Sequence, residues 1–368
     1  MRVLHVQKIK GVGGSERHLL TLLPALVAAG DQVRLVVLAP GEEEGRFFAA
    51  AREADVETVA IAVGTDLDPR PTAAIAREID RWKPDIVHTH LVHADLWGQL
   101  AARRHSVAGV RTFHNVAAFY RREPYRSAGR LAGRFANDTI AISHFVADYV
   151  RRLGLSPVHR VRVVPYGIDV SGWQVSPEER VSARERSGIV ADEVVVGMAA
   201  RLIPGKGHHL AIDSILRSRS AKLRLLIAGD GELREEIETL AGAADGRVRL
   251  LGHLQDVRTF LAACDIVLFP TLPSLGEGFG LTALEAMGVG RPVIATSVGA
   301  LPEVVEHRES GLVVEPAAGP IADALDRLAA DPSLRERMGT AGRDRATKQF
   351  SLEAMVDRTR AVYRESVP

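Results

Sequence analysis

The chain holds one cysteine, Cys264, so no disulfide framework can form within it and a reducing compartment fits. Cys264 stands just before the apolar run Ile266–Phe269 and reads as a small buried hydrophobe. Long apolar runs are missing too. The longest, about Leu19 to Ala29, is too short to cross a bilayer and reads as a buried helix, which Pro24 should kink or interrupt. Charge of one sign is missing: 47 Lys and Arg stand against 46 Asp and Glu. That balance excludes a molecule built to coat nucleic acid. No basic-then-apolar leader precedes Val3-Leu-His-Val6, so a cytoplasmic location is expected. Short-period repeats and low-complexity tracts are absent as well.

A length of 368 residues argues for two domains. Short β-branched runs alternate with longer amphipathic stretches. The first series of expected strands is Val3–Gln7, Val33–Ala39, Val56–Ile61, Ile86–His90, Val110–His114, Thr139–Ser143 and Val161–Val164. The second is Val194–Ala200, Leu223–Ala228, Val248–Leu251, Ile266–Phe269, Pro292–Thr296 and Gly311–Val314. Apolar runs without polar alternation mean strands buried on both faces, which is the pattern of a parallel sheet covered by helices. Two such series predict two doubly wound α/β domains. Pro165 and Gly167 stop the first series, which places a hinge at 165–175 and domains at 1–168 and 169–349. Residues 351–366 read as a helix that returns to the first domain, with Met355, Val356, Thr359 and Val362 near one face.

Open parallel sheets bind ligands beyond the carboxyl ends of their strands. Those ends carry Gly11–Ser15, His88–His90, His114, Ser143, Arg201–Lys206, Gly229–Glu232, Gly252-His253 and Thr271–Gly280. The most informative of them brackets Gly278-Phe-Gly280-Leu-Thr282 between Glu277 and Glu285. At about 100° per residue, eight steps leave two side chains about 80° apart on one helix. The glycines point instead to a loop carrying Glu277 and a following helix carrying Glu285, with free backbone N–H groups between them. Such a helix start takes anions. Carboxylates that grip hydroxyls beside a site for phosphate suit a nucleotide sugar.

Arg201 and Lys206, five apart on one loop, can clamp a diphosphate. The P-loop spacing is absent. Gly13 and Gly14 let a ligand approach the backbone, but the third glycine of a dinucleotide fingerprint would fall on Glu16. Gly229, Gly252 and His253 read either as contacts to a nucleobase or as ordinary strand-to-helix turns. His88 and His90 share a strand face, with no third metal ligand evident at sensible spacing, so no metal is expected. Asp66-Leu-Asp68 reads as a solvated turn. Arg121, Arg122, Arg126, Arg130 and Arg134, interleaved with Tyr120, Tyr125 and Phe135, form either a solvated helix face or a surface for an acidic acceptor or anionic membrane.

Together these residues resemble the retaining glycosyltransferases of family 4, which have the GT-B fold: two Rossmann-like domains facing a cleft. The resemblance covers essentially the whole chain. Its most specific part is the E-x7-E motif of Glu277 and Glu285, with Val164-Pro-Tyr-Gly-Ile-Asp169, Gly229-Asp-Gly231 and Leu301-Pro-Glu303 in matching order. It implies that a UDP- or GDP-sugar binds the C-terminal domain as substrate, with no cofactor and no bound metal. Arg201 and Lys206 would hold its diphosphate, joined by the amides of Gly278 to Thr282. Glu285 would bind the ribose, Glu277 would face the donor sugar, and His114 would support transfer. A hexose would pass, with retention, to an acceptor hydroxyl. The basic stretch, independently of the resemblance, would allow peripheral contact at the inner membrane face. Two other readings stand beside this one: a nucleotide-sugar epimerase of the same fold, and a non-catalytic sugar-nucleotide-binding subunit.

Overall fold

A computed structural model describes residues 1–9, 13–39, 46–63 and 69–367. Gly11, Val12 and the Asp66/Asp68 pair lie outside them. The chain divides into two compact units, Met1–Gly167 with Leu352–Pro368, and Ile168–Ser351.

The first unit carries β1 (Arg2–Lys8), β2 (Gln32–Ala39), β3 (Glu57–Ala62), β4 (Ile86–His90), β5 (Ala108–Phe113), β6 (Asp138–Ala141) and β7 (Val161–Val163). They make one parallel sheet in the order β3-β2-β1-β4-β5-β6-β7. Alternate residues serve opposite faces. Val3, Leu35 and Val37 pack with Leu19, Leu22, Leu26 and Tyr363. Leu4, Val6, Val36 and Leu38 pack with Ile75, Ile79 and Ala101 on the other side. Both faces are therefore apolar and covered, as the unalternating runs require.

The second unit carries β8 (Val194–Ala199), β9 (Leu223–Ala228), β10 (Val248–Gly252), β11 (Ile266–Phe269), β12 (Val293–Thr296) and β13 (Gly311–Val314). Its parallel order is β10-β9-β8-β11-β12-β13. Each sheet thus reverses its winding once, between β1 and β4 and between β8 and β11. A reversal is where doubly wound sheets receive ligands.

Two local expectations are corrected or sharpened. The helix Gly14–Ala28 continues through Pro24 without interruption. Proline removes only one helical hydrogen bond, and Leu19, Leu22, Leu23 and Leu26, at most 1% exposed, hold both sides of it against the core. The tail helix spans Leu352–Ser366 and buries Met355, Val356, Thr359, Val362 and Tyr363 within the first unit. Cys264 is fully buried, with its thiol pushed up to about 12 by burial, and packs as a small group against Gly197 and Phe260. No helix among the described residues is long and apolar enough to cross a membrane.

The first unit also buries one arginine completely. Arg111 on β5 donates to the carbonyls of Gly129 and Leu155, at 2.9 and 2.6 Å, and to Thr139 Oγ1 at 3.2 Å. Asp95 lies 3.8 Å away and is also buried. Burial dominates both groups, lowering Arg111 and lifting Asp95 to about 6. Every guanidinium nitrogen has a partner, which a buried charge requires.

Candidate active site

In the second unit, the loops leaving β8 and β11 meet at the reversal. Lys206 Nζ donates to Glu277 Oε2 at 2.6 Å, with the two side chains 16% and 15% exposed. The hydroxyl of Thr271 reaches the same oxygen at 3.5 Å, and Nζ sits 5.5 Å from the Phe269 ring centre. Two glycines make this approach possible. Gly207 has φ +83°, and a Cβ there would strike the carbonyl of Pro270, at the end of β11. Gly280 has φ +95° and caps the helix Leu281–Gly288, where a Cβ would meet Leu301. Only glycine sits easily at such angles.

Glu277 and Glu285 fall on a loop and a helix respectively. Glu277 is partly exposed, and its carbonyl accepts from the Ala300 amide at 2.9 Å. Glu285 lies inside Leu281–Gly288 and is 1% exposed. Gly278, Phe279 and Gly280 are buried, while Leu281 and Thr282 begin the helix half-buried. Arg201 is exposed and makes no ion pair among the described residues. Its loop is tied by backbone to the loops after β9 and β10. Leu202 N donates to Asp230 O at 2.9 Å, and Gly229 N donates to Gly252 O at 2.7 Å. His253 follows, exposed. Arg201, Gly229, Gly252 and His253 therefore share one rim of the sheet.

Sequence reasoning passed over His208, the residue after Gly207. It is 1% exposed, and neither ring nitrogen has a hydrogen-bond partner among the described residues. Burial first, then His209 and Lys206, push it down to about 4. It opens the helix His208–Arg217, whose amino end also disfavours an imidazolium.

The first unit holds Gly13, Gly14 and His114. Gly13 precedes the helix Gly14–Ala28, and its amide donates to Glu16 Oε2 at 3.0 Å. That helix start already carries a carboxylate of its own; among the described residues no atom crowds a side chain at Gly14. His114 follows β5 and is buried, with Nε2 3.0 Å from His90 and Nδ1 2.6 Å from the Tyr166 hydroxyl. Both ring nitrogens are thus engaged.

The expectation that His88 and His90 lack a third neighbour is corrected. His5 stands in register with His88 on adjacent β1, and one ring nitrogen from each of the three falls within 4.8 Å of the others. Only the pairing of β1 with β4 reveals this, because the residues are far apart in sequence. Every ring nitrogen of the three is hydrogen-bonded. Burial lowers His5 and His18 to about 3, and it lowers His88, His90 and His114 well below the ordinary value. His18 also stacks on Tyr166 at 4.4 Å.

Two parallel sheets, each reversing its winding once, make a two-unit doubly wound α/β architecture. Residues 12–171 match the model for Glycosyltransferase Family 4, and residues 179–345 match that for Glycosyl transferases group 1. The D-inositol 3-phosphate glycosyltransferase of Actinosynnema mirum is 31% identical over 80% of this chain and 78% of its own. A GDP-mannose-dependent phosphatidylinositol monomannoside mannosyltransferase of Corynebacterium glutamicum is 34% identical over 53% of this chain and 54% of its own. The fold superposes on Anabaena HepE, solved with UDP, with a TM-score of 0.88 at 21% identity, covering 99% of this chain and 100% of that one. The chain belongs to glycosyltransferase family 4 and has the GT-B fold.

Proposed function

We propose that the chain is a retaining hexosyltransferase that moves a sugar from UDP or GDP to an acceptor hydroxyl without a metal ion. The observation that carries this reading is the Lys206–Glu277 contact of 2.6 Å at the β8/β11 reversal, beside the start of Leu281–Gly288. An arriving diphosphate competes for the Lys206 ammonium and frees Glu277 to face the sugar. Arg201, with no ion pair among the described residues, supplies the second cation from the same rim. As the glycosidic C–O bond breaks, charge grows on the leaving diphosphate, and fixed cations and amides stabilise it there. Glu285 serves the ribose hydroxyls, and His114 supplies a neutral imidazole to the transferring sugar. Solved structures of HepE with UDP and with UDP-glucose, and the GDP-mannose-dependent relative, support a nucleoside diphosphate sugar.

Thermal unfolding with UDP, GDP, ADP and dTDP, each with and without magnesium, tests the reading. UDP or GDP at 100 times its dissociation constant should add about 2.7 kcal/mol. The shift should not depend on magnesium. No shift with any nucleotide would overturn the donor site, and a magnesium-dependent shift would overturn the metal-free clamp.

The helix Tyr125–Phe135 presents Arg126, Arg130 and Arg134 at i, i+4 spacing, with Leu131 43% exposed and neighbouring Phe119 37% exposed. We infer from this a peripheral contact with an anionic membrane at its cytoplasmic face. The protein should sediment with anionic vesicles at low salt and be released as salt rises. Failure to sediment at low salt dismisses the contact.

A further inference from the structure

In the first unit, buried imidazoles and phenols form one line. Tyr166 Oη lies 2.6 Å from His114 Nδ1, and His114 Nε2 lies 3.0 Å from His90 Nδ1. His90 Nε2 lies 3.0 Å from His5 Nδ1, and His5 Nε2 lies 3.4 Å from Tyr363 Oη. Tyr363 Oη then lies 2.7 Å from His88 Nδ1, and His88 Nε2 lies 2.7 Å from Thr112 Oγ1.

Burial keeps these rings neutral. A neutral imidazole has one donor and one acceptor nitrogen. Each ring here uses both, so the tautomer of one ring dictates that of the next. Two self-consistent directions exist, and bond lengths favour one: three of the four contacts to oxygen fit it, and the 2.7 Å contact of His88 Nε2 with Thr112 fits the other. Hydrogen bonds given by O–H are shorter than those given by N–H. The contacts of Tyr166 and Tyr363 with Nδ1, at 2.6 and 2.7 Å, have the length of bonds donated by a phenol. The other Tyr363 contact, at 3.4 Å, is long, as suits an oxygen whose proton is committed to His88. With both phenols donating, every Nδ1 accepts and every Nε2 donates.

We propose that this chain holds His5, His88, His90 and His114 as Nε2–H tautomers and so presents His114 Nδ1 as a fixed hydrogen-bond acceptor. A sugar hydroxyl reaching His114 then meets an acceptor, either through the Tyr166 hydroxyl or in its place. His5, His90 and Tyr363 are positioning residues that act through His114. The second half of the proposal rests on the reading of His114 as the imidazole that serves the transferring sugar. It also carries a specificity: the part of the donor sugar that meets His114 must bring an O–H, and a deoxy analogue there is a poorer substrate.

The test uses the full chain with 15N-labelled histidine at neutral pH. Two-bond 1H–15N correlations distinguish the tautomers. All four rings should show protonated Nε2 and bare Nδ1, and any one of them as Nδ1–H or imidazolium overturns the chain, whatever the rates show. This wild-type measurement needs no variant to fold. Tyr363→Phe removes the oxygen that takes the His5 proton and gives one to His88. His5 and His114 should then lose their single-tautomer pattern, and kcat should fall about 10- to 100-fold, by analogy with loss of the outer hydrogen-bond partners of metal-bound histidines. Donor KM should stay unchanged. An unchanged pattern in that variant would make Tyr363 merely structural and sink its positioning role. His114→Asn separates the two claims: undiminished kcat there overturns the role of His114, whatever the spectra show.

Discussion

Lys206→Ala is expected to slow sugar transfer about 100- to 1,000-fold, the loss seen when one preorganised donor to a developing anion is removed. The ammonium sits at the end of a short loop pinned by Gly207, with Phe269 beneath it and Glu277 at 2.6 Å. It is therefore preorganised, and it need not be ordered as charge develops. The cost falls on kcat and kcat/KM together if the contact strengthens only as the diphosphate leaves. A raised KM at unchanged kcat would mean that Lys206 only binds the donor. Loss of the lysine also leaves the Glu277 carboxylate with the Thr271 hydroxyl at 3.5 Å. Some stability goes with it, so unfolding curves must accompany the kinetics. Arg201→Ala should act in the same direction. Rates within about threefold of wild type in both variants, on folded protein, would end the phosphate-clamp assignment.

Acid should unfold the first unit well before the carboxylates of an ordinary domain titrate. His5, His18, His88, His90 and His114 all have folded values below 6.5, by burial. Below that value the unfolded chain takes up protons that the folded unit refuses, so stability falls as pH falls from about 6.5 toward about 3. Between about pH 7.5 and 5.5, each such imidazole removes on the order of 1 kcal/mol, and together they remove several kcal/mol. Asp95 works the other way. Its folded value near 6 lies above the unfolded one, so the folded unit binds that proton first and recovers about 1 kcal/mol by pH 5.5. A net loss of several kcal/mol is a large part of the stability of a typical domain. Urea unfolding at the two pH values, resolved by hydrogen exchange in each unit, checks this. A loss below about 2 kcal/mol in the first unit would mean that the histidines become protonated without unfolding.

The sheets were legible because their strands are continuous apolar runs. Ile86–His90, Leu223–Ala228, Ile266–Phe269 and Gly311–Val314 have the same bounds in sequence and structure, and the other expected strands differ by a residue or two at their ends. The loop-to-helix change between Glu277 and Glu285 was legible too, because glycine marks a backbone conformation that other residues avoid. Pro24 misled because a proline reports one lost hydrogen bond and not the leucines that compensate for it. The histidine line was hidden for a different reason. His5, His88, His114 and Tyr363 meet through strand order and the placement of a remote helix, and nothing in their local sequence encodes either. His208 was hidden because a missing partner is visible only once all its neighbours are known.

The helix Leu352–Ser366 has a consequence for how the chain is made. Residues 1–167 of the first unit emerge from the ribosome before the second unit, yet Tyr363, Val362 and Met355 of the first unit's core follow the entire second unit. Domains commonly fold in the order of their synthesis. Here the second unit, whose strands and helices are contiguous, can close first. The earlier unit must wait with the part of one sheet face that the tail helix covers, and with His5 and His88 beside it, still open. During that interval it presents an incomplete apolar surface of the kind that chaperones hold.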